Sequence, residues 1–258
     1  MLGAPMKPMH QPSTAKRQYL RNLVYQKNKW DEPLSDEDKA RGFLGWHERG
    51  YLPHCDKPGL VQFVTLRLAD SLPASRRSEW EHLLKIEDAR TRRKELESYL
   101  DRGIGKCWLC HPQVAQIVEE AILFHHSERY ELLAWCLMPN HVHALVHVWD
   151  RPLAKMLQNW KSITAVGANR VLSRNGSFWQ REYWDTFMRD TDQEKKAIRY
   201  IENNPVKAGL CGTPEQWAFS SARCRDEYRQ LIIPETTTCT AQLSTSRVGR
   251  PALQFVDA

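Results

Sequence analysis

The sequence predicts an α+β fold, a central antiparallel sheet with helices packed against it. Three observations predict it. The segment GLVQFVTLRLAD (59–70) alternates like a strand. Two apolar runs, YELLAWCLM and HVHALVHVW, are separated by the turn dipeptide Pro139-Asn140 and read as an antiparallel hairpin. Around these strands lie segments whose apolar residues recur at helical spacing.

The elements follow in chain order. Residues 1–55 read as an N-terminal extension, rich in Pro, Lys, Arg and Trp and poor in periodicity. Within it, SDEDKARGF suits a short helix with Ser35 as N-cap and an acidic first turn. The extension is expected to dock on the main domain or lie across a ligand. The main domain spans 56–225. Its first strand sets Val61, Phe63, Thr65 and Arg67 against Gln62, Val64, Leu66 and Leu68. ASRRSEWEHLLKIEDARTRRKELESYLDRG is a charged helix or helix pair ended by Gly103. HPQVAQIVEEAILFHHSERY is helical, with Pro112 in the first turn.

After the hairpin, RPLAKMLQNWKSITAVGANRVLSR carries the stripe Leu153, Met156, Leu157, Trp160, Ile163 and Gly167. Its formal charges are all positive: Arg151, Lys155, Lys161, Arg170 and Arg174. A loop that hides one further strand, NGSFWQREYWDTFMRD, leads to a last helix, DQEKKAIRYIENN, which Pro205 is expected to stop. Residues 226–258 are rich in Thr and Ser and are expected to be a flexible tail. The chain shows no internal repeat.

Composition bounds the function. The chain has 258 residues, 41% of them apolar, and a formal charge of +6. That charge favours a polyanionic partner and says nothing of fold. Seven cysteines without a disulfide-like pattern, no secretory leader and no apolar run near the ~20 residues of a membrane span point to a reduced, cytoplasmic protein with no membrane partner. CWLCH (Cys107 to His111) matches the c-type haem attachment pattern, but nothing marks the chain for export. Zinc at Cys107, Cys110 and His111 would lack a second cysteine pair.

His141 and His143 flank Val142 and therefore share one face of a strand. Two readings stand for such a pair: hydrogen-bonded strand histidines, or two ligands of one divalent ion. His147 has the same parity and reads as a polar residue at the strand end. A second cluster, RYIENNPVKAGL (199–210), puts Tyr200 and Asn204 on one helix face. Asn204 can offer an amide oxygen to a hard cation, and Tyr200 a phenol one turn away. Taken alone, this pair also fits a core tyrosine and a C-terminal helix cap.

LMPNHVHALV, FWQREYWDTFMRD, RYIENNPVKAGL and PEQWAFSSA, in that order, resemble the single-tyrosine HUH transposases, in the branch of the REP-associated tyrosine transposases. The likeness covers roughly residues 50–225, leaving most of the extension and the tail outside it. It implies a ferredoxin-like or RRM-like fold with the histidines on a central strand. It implies Mg²⁺ or Mn²⁺ held by His141, His143 and Asn204, with Tyr200 as the nucleophile. Single-stranded or hairpin DNA from repeated palindromic elements is then the substrate. The tyrosine oxygen attacks a phosphodiester, displaces a 3′ hydroxyl and leaves a 5′ phosphotyrosine that can be rejoined. The likeness allows a monomer or a homodimer.

A phenol with a pKa near 10 needs help to act as a nucleophile at neutral pH. Lys207 is near enough in sequence to assist or to steady the phosphate. Tyr183 is a rival nucleophile without a ligand at helical spacing. Lys155, Lys161, Arg170 and Arg174 are candidates for phosphate contacts, and Trp179 or Trp184 for base stacking. Two other functions stay open: a domesticated hairpin-binding protein without turnover, and a phosphohydrolase that uses water in place of Tyr200.

Overall fold

The alternating segment and the hairpin meet in one antiparallel sheet. The computed structural model describes residues 14–26, 28, 30–49 and 52–233. Among these residues the order is α1 (Thr14–Gln26), α2 (Asp36–Arg41), β1 (Gly45–Arg49), β2 (Leu52–Asp56), β3 (Val61–Arg67), α3 (Arg77–Leu84), α4 (Ala89–Asp101), α5 (Pro112–Leu123), β4 (Tyr130–Leu137), β5 (His141–Val148), α6 (Leu153–Val171), β6 (Trp184–Phe187) and α7 (Thr191–Lys207). The main sheet has the order β4-β5-β3-β6, and each neighbouring pair is antiparallel. From β3 onward this is the β-α-β-β-α-β arrangement of ferredoxin-like domains. The α+β class is the one expected, and β6 is the strand expected within the loop after α6.

Strand parity divides the sheet into two faces. The register pairs Phe63 with Leu145, Thr65 with His143 and Arg67 with His141, so these residues share one face. The opposite face, with Val64, Leu66, Val142, Ala144 and Val146, packs on α5 and α6 through Val114, Val118, Ile122, Leu157 and Trp160. On the histidine face, Ile201 of α7 joins Val61, Phe63, Leu145 and Met188. Both faces are covered, so β4 and β5 are buried along their whole length. This is why both read as near-continuous apolar runs.

The described part of the extension packs on the same domain. Ser35 caps α2 and accepts from the Asp38 amide at 3.1 Å. Tyr25 of α1 donates to Glu194 of α7 at 2.8 Å, and Arg21 pairs with Glu131 of β4. The β1–β2 hairpin was not expected. Its strands are short, Trp46 and Glu48 of β1 are exposed, and its contacts are distant in sequence: Trp46 stands edge-on to Phe187 of β6, and His54 pairs with Asp185. Asp56 accepts from the Leu153 amide at 3.3 Å and so helps to start α6.

Pro205 does not stop α7. The helix continues to Lys207 and has Ala208 as its C-cap. A proline this close to a helix end deletes only one amide bond, and later amides close the turn: Ala208 N–H donates to the Asn204 carbonyl and Leu210 N–H to the Pro205 carbonyl, both at 2.9 Å. Asn204 is therefore an interior helix residue. The expected tail lies mostly outside the described residues. Among those described, no helix is long and apolar enough to cross a membrane.

Candidate active site

The Pro139-Asn140 turn places His141 at the first position of β5, where the Met138 amide donates to its carbonyl at 2.8 Å. His141 and His143 are fully buried. Their Nε2 atoms face each other at 3.1 Å. Their Nδ1 atoms are held from behind: His141 by Asn140 Oδ1 at 2.8 Å, His143 by Thr65 Oγ1 at 3.0 Å. The Asn140 amide is itself oriented, because its Nδ2 donates to the Ile104 carbonyl at 3.0 Å. An amide oxygen only accepts, so the His141 proton sits on Nδ1 and its Nε2 presents a lone pair. Burial pushes the His141 imidazole down to about 3, and the charges of Arg67 and Lys207 act in the same direction. It is neutral at physiological pH.

Helix α7 crosses this face of the sheet. The Tyr200 ring lies 5.8 Å from the His143 ring and 5.9 Å from that of Phe63, centroid to centroid. Two turns later the Lys207 charge is felt at His141. Asn204 lies one turn along α7 from Tyr200, on the same side of the helix. Asn204 is 1% exposed, and among the described residues neither its Oδ1 nor its Nδ2 has a hydrogen-bond partner. A buried amide left in this way costs about 1–3 kcal/mol. Lys207 Nζ lies 5.6 Å from the centre of the Tyr200 ring and donates to Asp101 of α4 at 3.1 Å.

These donors fit a hard divalent ion. Neighbouring ligands of an octahedral ion at about 2.1 Å lie about 3 Å apart, close to the 3.1 Å between the two Nε2 atoms. An amide oxygen such as that of Asn204 is a donor type suited to Mg²⁺ or Mn²⁺. Among the described residues no cluster of three or more His, Cys, Asp or Glu side chains is arranged for a metal, so Cys107, Cys110 and His111 form no such site. Cys107 Sγ instead donates to the Gly103 carbonyl at 2.9 Å.

The structure thus brings together His141, His143 and Tyr200, with Lys207 over the Tyr200 ring and Asn204 buried one turn along α7 from Tyr200. It keeps the remaining candidates apart from them. Helix α6 packs on the opposite face of the sheet, so Lys155, Lys161 and Arg170 lie across the sheet from Tyr200. Lys161 turns inward and donates to the carbonyls of Gln180 and Arg181 at 2.6 and 2.7 Å. Arg174 lies 3.9 Å from the centre of the Trp108 ring and donates to Asn169 at 2.8 Å. Lys155 and Arg170 are exposed. Trp179 is no stacking platform: it is buried in the core, and its Nε1 donates to Thr164 Oγ1 at 2.8 Å. Tyr183 is likewise core, with its ring 5.3 Å from His54.

The sequence reading missed Asn140, Thr65 and Arg67. Asn140 was read only as a turn residue. Thr65 and Arg67 had been placed on one strand face, but the register that sets them opposite the histidines was not visible. The Arg67 guanidinium lies 4.1 Å from the centre of the Trp184 ring and 5.1 Å from that of Trp80 of α3, next to His141 in the register.

Comparison with known proteins bears on this site. Residues 109–204 match the family model described as Transposase IS200 like, a span that includes both histidines, Tyr200 and Asn204. A REP-associated tyrosine transposase of Escherichia coli K12 is 29% identical over 119 residues, 45% of this chain and 68% of that protein. This chain is similar to the IS200-like transposases over that span, and to REP-associated tyrosine transposases among its curated relatives. A putative REP-associated tyrosine transposase of Haemophilus influenzae is 27% identical over 103 residues, 36% of this chain. The chain spans only 58% of the length of that relative. A solved structure described as a REP-associated tyrosine transposase bound to a REP hairpin aligns over 70% of this chain and 85% of that one, at 18% identity and a TM-score of 0.42.

Proposed function

We propose that this protein is a transposase that cleaves and rejoins single-stranded hairpin DNA, with Tyr200 as nucleophile and a divalent ion, Mg²⁺ or Mn²⁺, held by His141, His143 and Asn204. The observation that carries the reading is the ring contact of Tyr200 with the histidine pair, with the buried, unpaired Asn204 amide one helical turn from Tyr200, within the span matched by the family model. Hairpin DNA is the substrate class to try because both curated relatives are described as REP-associated. The setting proposed is the cytoplasm.

An ion at this site would polarise the phosphodiester and stabilise charge that develops on its oxygens. The remaining chemistry belongs to the chain. Tyr200 gives up its phenolic proton to water, and its oxygen attacks phosphorus in line. The bond from phosphorus to the 3′ oxygen breaks, and that oxygen takes up a proton as it leaves as a hydroxyl. The phosphate stays on Tyr200 through the 5′ side of the cut. A free 3′ hydroxyl reverses the step and rejoins the strand. Lys207, at the open end of this face, offers a positive charge to a DNA phosphate. Phe63, in ring contact with both His143 and Tyr200, helps to hold the two rings in fixed relation.

Peptide mass spectrometry tests the assignment. Trypsin cuts after Arg199 and after Lys207, so Tyr200 is released in the peptide 200–207. After incubation with hairpin DNA and Mn²⁺, followed by nuclease, this peptide is expected to carry a 5′-linked nucleotide. A nucleotide on another tyrosine peptide, such as that of Tyr183, would refute Tyr200 as nucleophile.

A further inference from the structure

We propose that Glu202 is a positioning residue for the cleavage step. Gripped by Ser221, Arg225 and Arg229, it fixes the rotation of α7 that aims Tyr200 at the histidine pair. The inference rests on the reading of Tyr200 as the nucleophile.

Apolar contact specifies α7 weakly. Its buried residues are Glu194, Ile201, Glu202, Asn204 and Pro205, and two of these are carboxylates. Ile201 points down onto the sheet among Val61, Phe63 and Leu145. Successive helix residues are about 100° apart. Tyr200 therefore leaves α7 on one flank of Ile201 and Glu202 on the other. The Tyr200 flank meets Phe63 and His143. The Glu202 flank meets the outer edge of β4. Rotation of α7 about its axis swings both side chains together. With side chains about 5 Å from the axis, a turn of about 10° moves each by roughly 1 Å. A displacement of that size at a reacting group costs up to about a hundredfold in rate.

Glu202 is fully buried, and both of its carboxylate oxygens are held. Oε1 accepts from Ser221 Oγ at 2.8 Å and from Arg225 Nε at 2.7 Å. Oε2 accepts from Arg229 Nη2 at 2.9 Å. The same segment also holds β4, the strand at the edge of the sheet. Arg225 Nη2 donates to the Leu133 carbonyl at 2.6 Å, where the β4–β5 register shifts. The Trp135 amide donates to Ser221 Oγ at 3.1 Å, and the Leu137 amide to the Phe219 carbonyl at 2.9 Å. Residues 219–229 thus form a brace along the outer edge of β4. Strand β4 pairs with β5, which carries the histidines. The Arg225 guanidinium therefore links the sheet of the histidines to the helix of Tyr200. A buried ion pair is often no better for stability than apolar side chains of similar volume. What a charge-assisted pair with Arg adds is direction, because its bonds fix where the carboxylate stands.

The test uses the full chain with Mn²⁺ and saturating hairpin DNA. It reads the single-turnover rate of covalent-complex formation beside the hairpin Kd. Glu202→Gln keeps the size of the side chain and loses both ion pairs. In the folded protein its rate is expected to fall about ten- to a hundredfold, with the hairpin Kd within about twofold of wild type. Arg225→Lys keeps the charge but cannot span Glu202 and Leu133 at once, and its rate is expected to fall about tenfold. This second variant decides the matter where Glu202→Gln does not fold. A wild-type rate in either folded variant would overturn the proposal. A loss of hairpin affinity equal to the loss of rate, or a rate that falls only with the folded fraction, would overturn it too. No covalent complex in wild type, or one that persists in Tyr200→Phe, would instead overturn the nucleophile reading and this inference with it.

Discussion

The Tyr200 ring stands close to edge-on to the His143 ring, with 5.8 Å between centroids and 66° between planes. One residue comes from the helix that crosses the sheet and the other from an interior strand. Their contact defines the face on which the chemistry is argued to occur, and the residues around it carry separate, measurable consequences.

Asn204 sets fold stability against function. Its amide is buried with neither polar atom paired among the described residues. Asn204→Leu removes that cost while keeping a similar volume. Urea unfolding without metal is expected to show a gain of about 1–3 kcal/mol. The same variant is expected to lose Mn²⁺ binding and DNA cleavage. A variant both less stable and still active would contradict this role.

Lys207 is divided between Asp101 and the Tyr200 ring. Its ammonium is about half exposed, so the ion pair is weak, and Asp101→Asn should change stability by less than about 1 kcal/mol. With the carboxylate gone, Lys207 is free to meet a phosphate. Hairpin DNA affinity is expected to rise up to about fivefold at low salt and to converge with wild type as salt increases. Unchanged affinity at every salt concentration would remove Lys207 from the DNA contacts.

His126 makes stability depend on pH. It accepts a hydrogen bond from the Leu132 amide on Nδ1 at 3.1 Å, and burial lowers its pKa. The sign follows from linkage. Below about pH 6.5 the unfolded chain takes up a proton that the folded chain resists. Stability is therefore complete above that pH and falls as pH decreases through it, by at most about 1.4 kcal/mol per unit for this group. Unfolding free energies at pH 8, 6.5 and 5 should show a smaller decline in His126→Gln than in wild type. Equal slopes would assign the decline to other groups.

Trp179 tests the reassignment from DNA contact to core. Its ring is buried and its Nε1 bonds Thr164. Trp179→Ala is expected to cost about 3–5 kcal/mol of stability. DNA affinity of the folded fraction, measured at low temperature, should stay within twofold of wild type. A selective loss of affinity with stability intact would restore the stacking role.

The legible part of this protein was the part written in local pattern. Alternation in β3, the Pro139-Asn140 turn and the helical spacing of Tyr200 and Asn204 each depend on neighbours in sequence. They were enough for the fold class and for bringing these residues under suspicion. What could not be read depends on pairings between distant segments. The β3–β5 register alone decides that Thr65 and Arg67 face the histidines. The division of the sheet into two faces alone decides that the basic helix α6 lies away from Tyr200. A run of positive charge looks the same in sequence on either face. Pro205 misled for a related reason: a proline forbids one hydrogen bond, and the packing of a helix end can absorb that loss.

The central claim is that Tyr200 forms a covalent bond to DNA. Wild type and Tyr200→Phe are each incubated with 5′- and 3′-labelled hairpin DNA and Mn²⁺, then run on a denaturing gel with and without protease. The hairpins are taken from repeats that flank the gene. The account predicts that wild type alone shifts the label carried by the strand 3′ of the cut, and that protease removes most of the shift. Cleavage that persists in Tyr200→Phe would contradict it and point to water as the nucleophile. Tight hairpin binding by wild type with no cleavage under any divalent ion would contradict it in favour of a binding protein without turnover.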